Sequence, residues 1–265
     1  MSAAVQDPSS QKFVLYESNA GIAKITLNRP AQYNALSGEV LTALQEALDH
    51  IAADDTARVV IIAARGKAFS AGHDLKELRS SEDQDFHQRL FDRCGGIMQT
   101  IHQLPQPVIA QVQGIATAAG CQLVAACDLA IAADCARFAV SGIKVGLFCS
   151  TPAVPLSRNV SSKQAMHMLL TGDFISAEQA LQYGLVNSVV SLENLESSVT
   201  GLAEKIATKS APAIKTGKAM FYQQLGMELS AAYEFASETM ACNLNSGDAR
   251  EGIDAFIEKR PKASG

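Results

Sequence analysis

Two short segments rich in glycine and other small residues carry the groups best suited to chemistry. They are Phe69–Leu78, which reads Phe-Ser-Ala-Gly-His-Asp-Leu-Lys-Glu-Leu, and Gly114–Leu123, which reads Gly-Ile-Ala-Thr-Ala-Ala-Gly-Cys-Gln-Leu. Each follows an apolar run typical of a buried strand and precedes a helical pattern. The first turn of a helix leaves backbone N–H groups unpaired and carries the positive end of the helix dipole. The two junctions are therefore suited to hold an oxygen atom that carries negative charge.

The small side chains of the second segment also let another group approach its backbone closely. A tight turn or close helix packing explains either segment taken alone, so the residue types leave a structural and a catalytic role open. Among the side chains, His73 stands out because its imidazole titrates near neutral pH. Asp74, directly before Leu75, is predicted to cap the following helix rather than to act as a catalyst.

Further motifs occur along the chain in the order found in one known family. They are Asn28-Arg29-Pro30, Asn34-Ala35-Leu36, Phe138–Gly146, Leu170-Thr171-Gly172 with Ile175-Ser176-Ala177, Gly184-Leu185-Val186 and Phe256–Arg260. With these motifs, nearly the whole chain resembles the crotonase, or enoyl-CoA hydratase/isomerase, family. The amino-acid sequences of Gly72–Leu78 and Gly146–Pro152 are especially similar to those of animal proteins that contain an enoyl-CoA hydratase domain. Such an ordered series is far more specific than one glycine motif.

The resemblance implies a site for acyl-coenzyme A (acyl-CoA) thioesters, in which the backbone N–H groups of His73 and Ala119 form an oxyanion hole for the thioester oxygen. In such a site each donor contributes about 10²–10³ in rate. The residues implied to contact CoA are Ala71, Gly72, His73, Asp74, Leu75 and Lys76, with Phe256 and Lys259 from a neighbouring subunit. A solvated surface lysine is an equal alternative for Lys259. The resemblance implies CoA as part of the substrate, no permanently bound cofactor, and a homotrimer or hexamer.

The chain departs from the family at the positions that carry the chemistry of hydration. Hydration needs a water activated at one carbon and a proton delivered to the next, which two glutamates do in the family. The first position is Gln122, whose carboxamide orients a water but takes no proton. The second is Gly142, and a third position, an aspartate in some relatives, is Ser150. Ordinary hydration is therefore not expected, and Gln122→Glu combined with Gly142→Glu is predicted to raise it.

Three functions remain open on these residues. The first is an acyl-CoA lyase or isomerase that passes through a thioester enolate, with His73, Ala119 and Gln122 as catalytic residues. The second is a lyase similar to methylmalonyl-CoA decarboxylases, whose Gly-His-Asp wording matches Gly72–Asp74 and whose reaction needs no base to start. The third is a catalytically silent protein that binds CoA esters, since all three carboxylate positions are empty.

Apolar periodicity predicts the elements that position these segments. Ser37 is predicted to cap a helix with an inner stripe of leucines, Ser176 and Gln179 to form a capping box, and Asn19-Ala20-Gly21 to form a hairpin turn. The predicted strands are Phe13–Ser18, Ile22–Leu27, Val59–Ala64, Val108–Gln113 and Leu129–Ala133. The main predicted helices are Asp83–Gln103, Leu192–Thr208, Ala213–Leu225, Ala231–Leu244 and Arg250–Glu258.

A sheet-rich first half and a helical tail together predict an α/β fold. The resemblance makes this the crotonase (ClpP-like) spiral of ββα units, followed by a C-terminal helical oligomerisation region. The predicted domains are a core over 1–190, which holds the CoA site and the oxyanion hole, and a helical trimerisation region over 191–265. Asp128 is predicted to have a structural role between a helix and a strand.

Composition argues against several classes of partner. The net charge of −5 and the scattered basic residues argue against nucleic acid, and no stretch is long and apolar enough to suggest a membrane span. The six cysteines form no CxxC pair and the histidines lack metal-ligand spacing, so reduced thiols and no metal are expected. Residues 1–13 show no signal-peptide or transit pattern, so a cytoplasmic location is predicted.

Overall fold

The computed structural model describes residues 12–261 of the chain. Most of the amino-terminal segment interpreted above, residues 1–11, and the last four residues of the predicted tail, 262–265, lie outside that range. Among the described residues, no helix has the length and apolar content needed to cross a bilayer.

The described part of the chain contains ten strands and eleven α-helices. The strands are β1 (Val14–Asn19), β2 (Ile22–Leu27), β3 (Val59–Ala64), β4 (Ala68–Ser70), β5 (Val108–Val112), β6 (Ile115–Thr117), β7 (Leu129–Ala133), β8 (Arg137–Ala139), β9 (Ile175–Ser176) and β10 (Ser188–Val190). The helices are α1 (Gly38–Ala52), α2 (Leu75–Arg79), α3 (Gln84–Gln103), α4 (Ala119–Ala126), α5 (Ser150–Asn159), α6 (Ser162–Thr171), α7 (Ala177–Tyr183), α8 (Leu195–Ala207), α9 (Ala211–Gln224), α10 (Leu229–Leu244) and α11 (Gly247–Ile257).

Two sheets organise these elements. The larger sheet has the order β1-β2-β3-β5-β7-β10, with β1 and β2 antiparallel and all other neighbours parallel. The smaller has the order β4-β6-β8-β9. Three times in succession, a strand of the large sheet leads into a strand of the small sheet and then into a helix: β3-β4-α2, β5-β6-α4 and β7-β8-α5. The predicted α/β spiral of ββα units is confirmed.

Local signals in the sequence account for several boundaries. The hairpin between β1 and β2 turns through Ala20 and Gly21, which both have positive φ. Ser37 accepts a hydrogen bond from Val40 N at the start of α1, and the capping box of Ser176 and Gln179 opens α7. These three predictions are confirmed. Turns and helix caps depend on hydrogen bonds between residues that are close in the sequence, so the sequence alone indicates them.

Some predicted boundaries are wrong by a few residues. Strand β1 begins one residue later than predicted and β5 ends one residue earlier. The last three helices begin two to three residues earlier than predicted. Two of them start at serine caps, because Ser210 accepts from Ala213 N and Ser246 accepts from Ala249 N. The apolar stripe marks where such a helix is buried, and the cap marks where it begins.

The small sheet is absent from the sequence prediction, although it positions both loops. Its strands are only two or three residues long, too short for an apolar period to be seen. Strand β4 ends at Ser70, directly before the first loop, and its neighbour β6 ends at Thr117, directly before Ala118 and α4. Parallel pairing of β4 with β6 therefore brings the two predicted loops side by side.

Both faces of the large sheet are covered. Along β3, Val60 and Ile62 belong to the main core beneath α1 and α3, whereas Val59 and Ile61 belong to a second core under α8. This alternation follows from the two-residue period of a strand. Helix α8 lies beyond the predicted boundary at residue 190, yet it packs on the large sheet as part of the second core. Helices α9 and α10, by contrast, have no buried residue within the single chain. The division at 190/191 stays a prediction.

Asp128 has the structural role predicted for it. Its carboxylate accepts hydrogen bonds from Val108 N (2.7 Å), Lys218 Nζ (2.6 Å) and Tyr222 Oη (2.7 Å). Lys218 also donates to the carbonyl oxygens of Ile101 and Gln106. This group, the Asp128 latch (Asp128, Lys218 and Tyr222), ties α9 to the end of α4 and the start of β5.

Candidate active site

The first loop, directly after β4, is fixed by hydrogen bonds to the segment that leads into α1. Leu36 N donates to Gly72 O at 2.8 Å. The buried Ser70 hydroxyl donates to Asn34 O at 2.9 Å and accepts from Gly72 N at 3.2 Å. The Asn34 side chain is itself held by the carbonyls of Arg65 and Ala68. The backbone at Gly72 is therefore held in one orientation.

The orientation of the Gly72–His73 peptide fixes the direction of the His73 amide. In a planar trans peptide, the C=O and N–H groups point in opposite directions. Because Gly72 O faces Leu36 N, the N–H of His73 points away from Leu36. Within residues 12–261, this N–H donates to no other group of the chain.

The second loop presents the amide of Ala119 in the same manner. Ala118 has φ 51° and ψ −121°, a strained backbone for a residue with a side chain, of a kind that clusters at functional sites. Its carbonyl accepts from Gln122 N at 3.0 Å, so the N–H of Ala119 points outward from the first turn of α4. In the described chain, that N–H also finds no acceptor.

The two loops touch at their backbones. Gly72 has φ +88°, and a Cβ built there would lie 3.0 Å from Ala119 N and 2.8 Å from Ala118 Cβ. Similarly, a Cβ at Gly120 would lie 2.2 Å from Ser70 O. Only glycine allows either approach. The amides of His73, next to Gly72, and of Ala119 are thus neighbours.

A cavity of about 370 Å³ opens beside these amides. Its walls are mostly apolar, with a few hydroxyls, one imidazole and one thiol. The lining residues are Ala71, His73, Leu75, Leu78, Phe91, Ala118, Ala119, Ser141, Gly142, Val145, Leu147, Phe148, Cys149, Ser150, Thr151 and Pro152. No Asp, Glu, Lys or Arg is among these lining residues. The cavity is near the small end of the range for small-molecule sites, roughly 300–1,000 Å³.

The His73 ring forms part of the cavity wall. Its Nδ1 lies 3.3 Å from Leu36 O, and its ring meets Phe91 edge to face at 5.2 Å. Its Nε2 is buried without a hydrogen-bond partner in the described chain. Burial lowers the pKa of His73, and the bond to Leu36 opposes that shift only in part. His73 is therefore neutral near pH 7.

The space beside Gly142, where a side chain would lie, is occupied by neighbouring atoms. A Cβ there would lie 2.7 Å from Cys149 Sγ and 2.7 Å from Leu147 O. The turn also bonds back to it, since Gly142 N donates to Cys149 Sγ (3.2 Å) and Leu147 N donates to Gly142 O (3.0 Å). The prediction that Gly142→Glu helps to restore hydration is therefore wrong, because a glutamate side chain has no room at position 142.

The other residues predicted to act in the site lie in different places. Ala71, His73, Leu75 and Ala119 line the cavity, and Ser150 lies at its wall. Gly72, Asp74, Lys76 and Gln122 do not line it. Phe256 is 85% exposed in the single chain, and neither it nor Lys259 reaches the cavity. Their predicted contact with CoA on a neighbouring subunit stays a prediction.

Two of these residues have identifiable surroundings. Asp74 accepts from Lys76 N at the start of α2, so the predicted helix cap is confirmed, and Arg29 lies 3.8 Å from its carboxylate. Gln122 is only 2% exposed, and its carboxamide oxygen has no partner in the described chain. A catalytic role for Gln122 stays a prediction.

Sequence reasoning missed much of the cavity wall. Phe91 comes from α3, and Leu147, Phe148 and Thr151 come from the turn before α5 and its start. Leu147, Phe148 and Thr151 lie in the Gly146–Pro152 motif, which indicated the family but no site role, and large apolar residues such as Phe91 are ordinary core residues. The exposure of Leu147 and Phe148 is the feature that sets them apart, and it requires coordinates. Among residues 12–261, no group of three His, Cys, Asp or Glu side chains could hold a metal ion.

An α/β spiral whose second sheet brings two helix-leading loops together over one cavity defines a crotonase-fold protein. The family model described as enoyl-CoA hydratase/isomerase matches residues 17–263. The chain belongs to that family, as its motifs predicted.

Individual relatives refine this assignment. Enoyl-CoA hydratase domain-containing protein 3, mitochondrial, of Rattus norvegicus is 49% identical over 240 residues, covering 91% of this chain and 80% of that protein. A crystal structure of the human protein of that name matches with a TM-score of 0.93 and 45% identity, over 96% of this chain and 100% of that one. An enoyl-CoA hydratase structure from Mycobacterium smegmatis matches with a TM-score of 0.94 and 51% identity, over 96% and 99%. The predicted similarity to animal proteins with an enoyl-CoA hydratase domain is confirmed.

The predicted cytoplasmic location is wrong. The relatives from Rattus norvegicus, Xenopus laevis, Mus musculus and Homo sapiens are all named mitochondrial. The lack of a transit pattern in residues 1–13 is therefore no guide to the compartment.

Proposed function

We propose that the protein binds acyl-CoA thioesters and stabilises the thioester enolate with the amide N–H groups of His73 and Ala119. The observation that carries this proposal is the direction of two peptide units. Gly72 O and Ala118 O are both engaged on the protein side, so the two N–H groups are left to face a ligand. Donors fixed in advance where charge develops are usually the largest single contribution to such catalysis.

The acyl group that fits this cavity is short and uncharged. The walls carry no lysine or arginine to pair with a second carboxylate, and His73 is held neutral by burial. An unpaired carboxylate in such surroundings is costly, by several kcal/mol for a buried ion. These walls favour simple acyl thioesters over the malonyl-type substrates of the decarboxylase alternative.

Within the family's range of reactions, isomerisation or another enolate-forming proton transfer suits this site better than hydration. The positions of the two family glutamates hold Gln122 and Gly142, and Gly142 has no room for a side chain. Proton transfer at the carbon next to the thioester needs the enolate to be stabilised, which the amides of His73 and Ala119 provide. A catalytically silent CoA-ester binder is the outcome if binding occurs without any proton transfer.

A pair of ligands that differ only in the thioester oxygen tests the amide pair. Two hydrogen bonds at about 0.5–1.5 kcal/mol each predict that butyryl-CoA binds about 5- to 150-fold more tightly than S-butyl-CoA, a thioether without the carbonyl. Titration calorimetry measures both affinities, with free CoA as the reference for the nucleotide and pantetheine. Isotope-edited infrared spectra of ¹³C=O butyryl-CoA should show the carbonyl stretch at lower frequency when bound.

Equal affinities for thioester and thioether would overturn the role of His73 and Ala119. Lack of affinity for all three CoA compounds would overturn the proposal of an acyl-CoA site. Neither result depends on turnover, so binding and chemistry are tested apart.

The helical tail is proposed to bind a second copy of the chain, in a homotrimer or hexamer. Large apolar side chains stand exposed along it in the single chain: Phe221, Leu225, Leu229, Tyr233, Met240, Leu244, Phe256 and Ile257. Exposed apolar surface on this scale marks an interface. In such an assembly Phe256 and Lys259 are proposed to contact the CoA held by the neighbouring chain.

Light scattering tests this assembly. We expect the mass of three or six chains, and a shift towards monomer for Phe256→Asp or Met240→Asp, because a charge placed in an apolar interface loses its water. The exposed Glu46 on α1 provides a surface control, Glu46→Lys, which should leave the mass unchanged. A monomeric wild-type protein at micromolar concentration would contradict the proposed role of the tail.

A further inference from the structure

Helix α2 follows His73 after its cap Asp74, and two of its residues, Leu75 and Leu78, line the cavity. The helix has only five residues, and none of them is buried. A helix this short gains too little from its own backbone bonds to be stable alone. Contacts with neighbouring elements must therefore hold α2, and the loop in front of it, in place.

The carboxylate of Glu77, in the middle of α2, provides such a contact with the start of α1. Its two oxygens accept from Gly38 N, at 3.1 and 3.0 Å. Gly38 is the first residue of α1, where the N–H has no partner within the helix and the helix dipole favours negative charge. A Cβ at position 38 would lie 3.1 Å from Glu77 Oε1, so the glycine leaves room for the carboxylate.

This bond completes a series of contacts that fastens the chain on both sides of His73. Before His73, Leu36 N donates to Gly72 O at 2.8 Å. At His73 itself, Nδ1 lies 3.3 Å from Leu36 O. After His73, Gly38 N donates to the Glu77 carboxylate. The His73 amide therefore lies between the first and the last of these contacts.

We propose that Glu77 is a positioning residue for the amide of His73, because it holds the chain after His73 so that this N–H keeps its direction away from Leu36. Glu77 does not line the cavity, so its effect on a ligand is exerted through the backbone. The inference rests on the proposed function, since the direction of this amide matters only if a thioester oxygen binds there.

The other contacts of α2 are less suited to this role. Arg29 lies 3.8 Å from the Asp74 carboxylate, beyond hydrogen-bond distance, and partly exposed ion pairs contribute little. His87 Nε2 lies 2.9 Å from Leu78 O, which ties the far end of α2 to α3. Glu77 is the side chain of α2 that bonds directly to α1, on the same side as the contacts of the preceding loop.

The ratio of the affinities for butyryl-CoA and S-butyl-CoA, measured by titration calorimetry, tests this role. In Glu77→Ala the preference for the thioester should fall about 2- to 13-fold, the contribution of one hydrogen bond of the amide pair. A change that only loosens the site weakens the binding of both ligands alike and leaves the ratio unchanged. Glu77→Gln keeps an oxygen acceptor for Gly38 N, so it should retain most of the preference.

Hydrogen exchange at the α-carbon of butyryl-CoA in D₂O, followed by mass spectrometry, is the second readout. Under the proposed function, exchange passes through the enolate whose oxygen the His73 amide binds. Glu77→Ala should slow exchange by up to about 10²–10³-fold, the loss typical of one displaced oxyanion donor. The affinity ratio needs no turnover, so it tests Glu77 in a catalytically silent binder as well.

Glu39→Ala is the matched control. Glu39 is an exposed carboxylate in the same first turn of α1, so its removal takes a similar charge from the helix start, while the bond to Gly38 N belongs to Glu77. Glu39→Ala should keep the thioester preference and the exchange rate of the wild-type protein.

An unchanged affinity ratio in a folded Glu77→Ala protein overturns the positioning role. An equal loss of the preference in Glu39→Ala or in Glu77→Gln overturns it too, because the bond to Gly38 N would then not be the cause. A wild-type protein without any preference for the thioester would instead overturn the proposed function itself.

Discussion

Gly72→Ala should lower α-proton exchange on butyryl-CoA about 10²–10³-fold, the loss typical of one displaced oxyanion donor. The new methyl group would lie 3.0 Å from Ala119 N and 2.8 Å from Ala118 Cβ, so the two loops must move apart where their amides converge. The left-handed backbone costs about 1–2 kcal/mol and crowding about 1–3 kcal/mol. A typical domain is stable by about 5–15 kcal/mol, so the variant should still fold.

Gly184→Ala is the matched control for backbone strain. Gly184 has a similar positive φ of 83°, but a Cβ there meets a single atom, Asn159 O at 3.3 Å, outside the cavity. Both variants should lower the melting temperature, and only Gly72→Ala should lose exchange and the preference for thioester over thioether. Wild-type exchange in a folded Gly72→Ala protein would show that the contact of the two loops does not set the amide pair.

The two loops were predictable from local sequence, because a glycine-containing turn before a helical pattern marks a place where backbone N–H groups are free. The choice of the His73 and Ala119 amides came from the family resemblance and stays a prediction. The small sheet that joins them was not predictable, since strands as short as β4 and β6 show no period. The family resemblance supplied the juxtaposition that periodicity could not.

The surroundings of Gly142 could not be predicted from the sequence, for a different reason. The sequence gives a residue without a side chain at the place of a family glutamate, which suggests an empty space. In the structure, Cys149 occupies that space, brought there by a turn seven residues further on. Whether a missing side chain leaves a cavity or is replaced by a neighbour depends on packing, and packing is close to crystal density in protein interiors.

Burial acts on His73 and Cys149 in opposite directions for one physical reason. A low-dielectric wall disfavours the charged form of any group, so it lowers the pKa of an imidazole and raises that of a thiol. Both groups are therefore neutral near pH 7. Under the proposed function, the charge that forms on enolisation would go to the thioester oxygen beside the amides of His73 and Ala119.

Lys218→Met is the change expected to cost most in stability, about 3–5 kcal/mol of unfolding free energy. The Lys218 side chain is 8% exposed, and its ammonium group uses its three protons on Asp128, Ile101 O and Gln106 O. Removal leaves the Asp128 carboxylate, whose side chain is 13% exposed, without its counter-ion, and it leaves two carbonyls without a donor. Urea unfolding followed by circular dichroism measures the loss, and the exposed Lys215→Met on the same helix should change stability by less than about 0.5 kcal/mol.

A double variant separates the buried charge from the lost contacts. In Lys218→Met with Asp128→Asn, the side chain at 128 is neutral and still offers an oxygen to Val108 N, so part of the loss should be recovered. Non-additivity of about 0.5–3 kcal/mol in this cycle is expected for residues in direct contact. A Lys218→Met protein as stable as Lys215→Met would mean that the Lys218–Asp128 ion pair contributes nothing measurable to holding α9 on the core. Because Asp128 follows the end of α4, whose first residue is Ala119, the Asp128 latch also links docking of the tail to the helix that presents that amide.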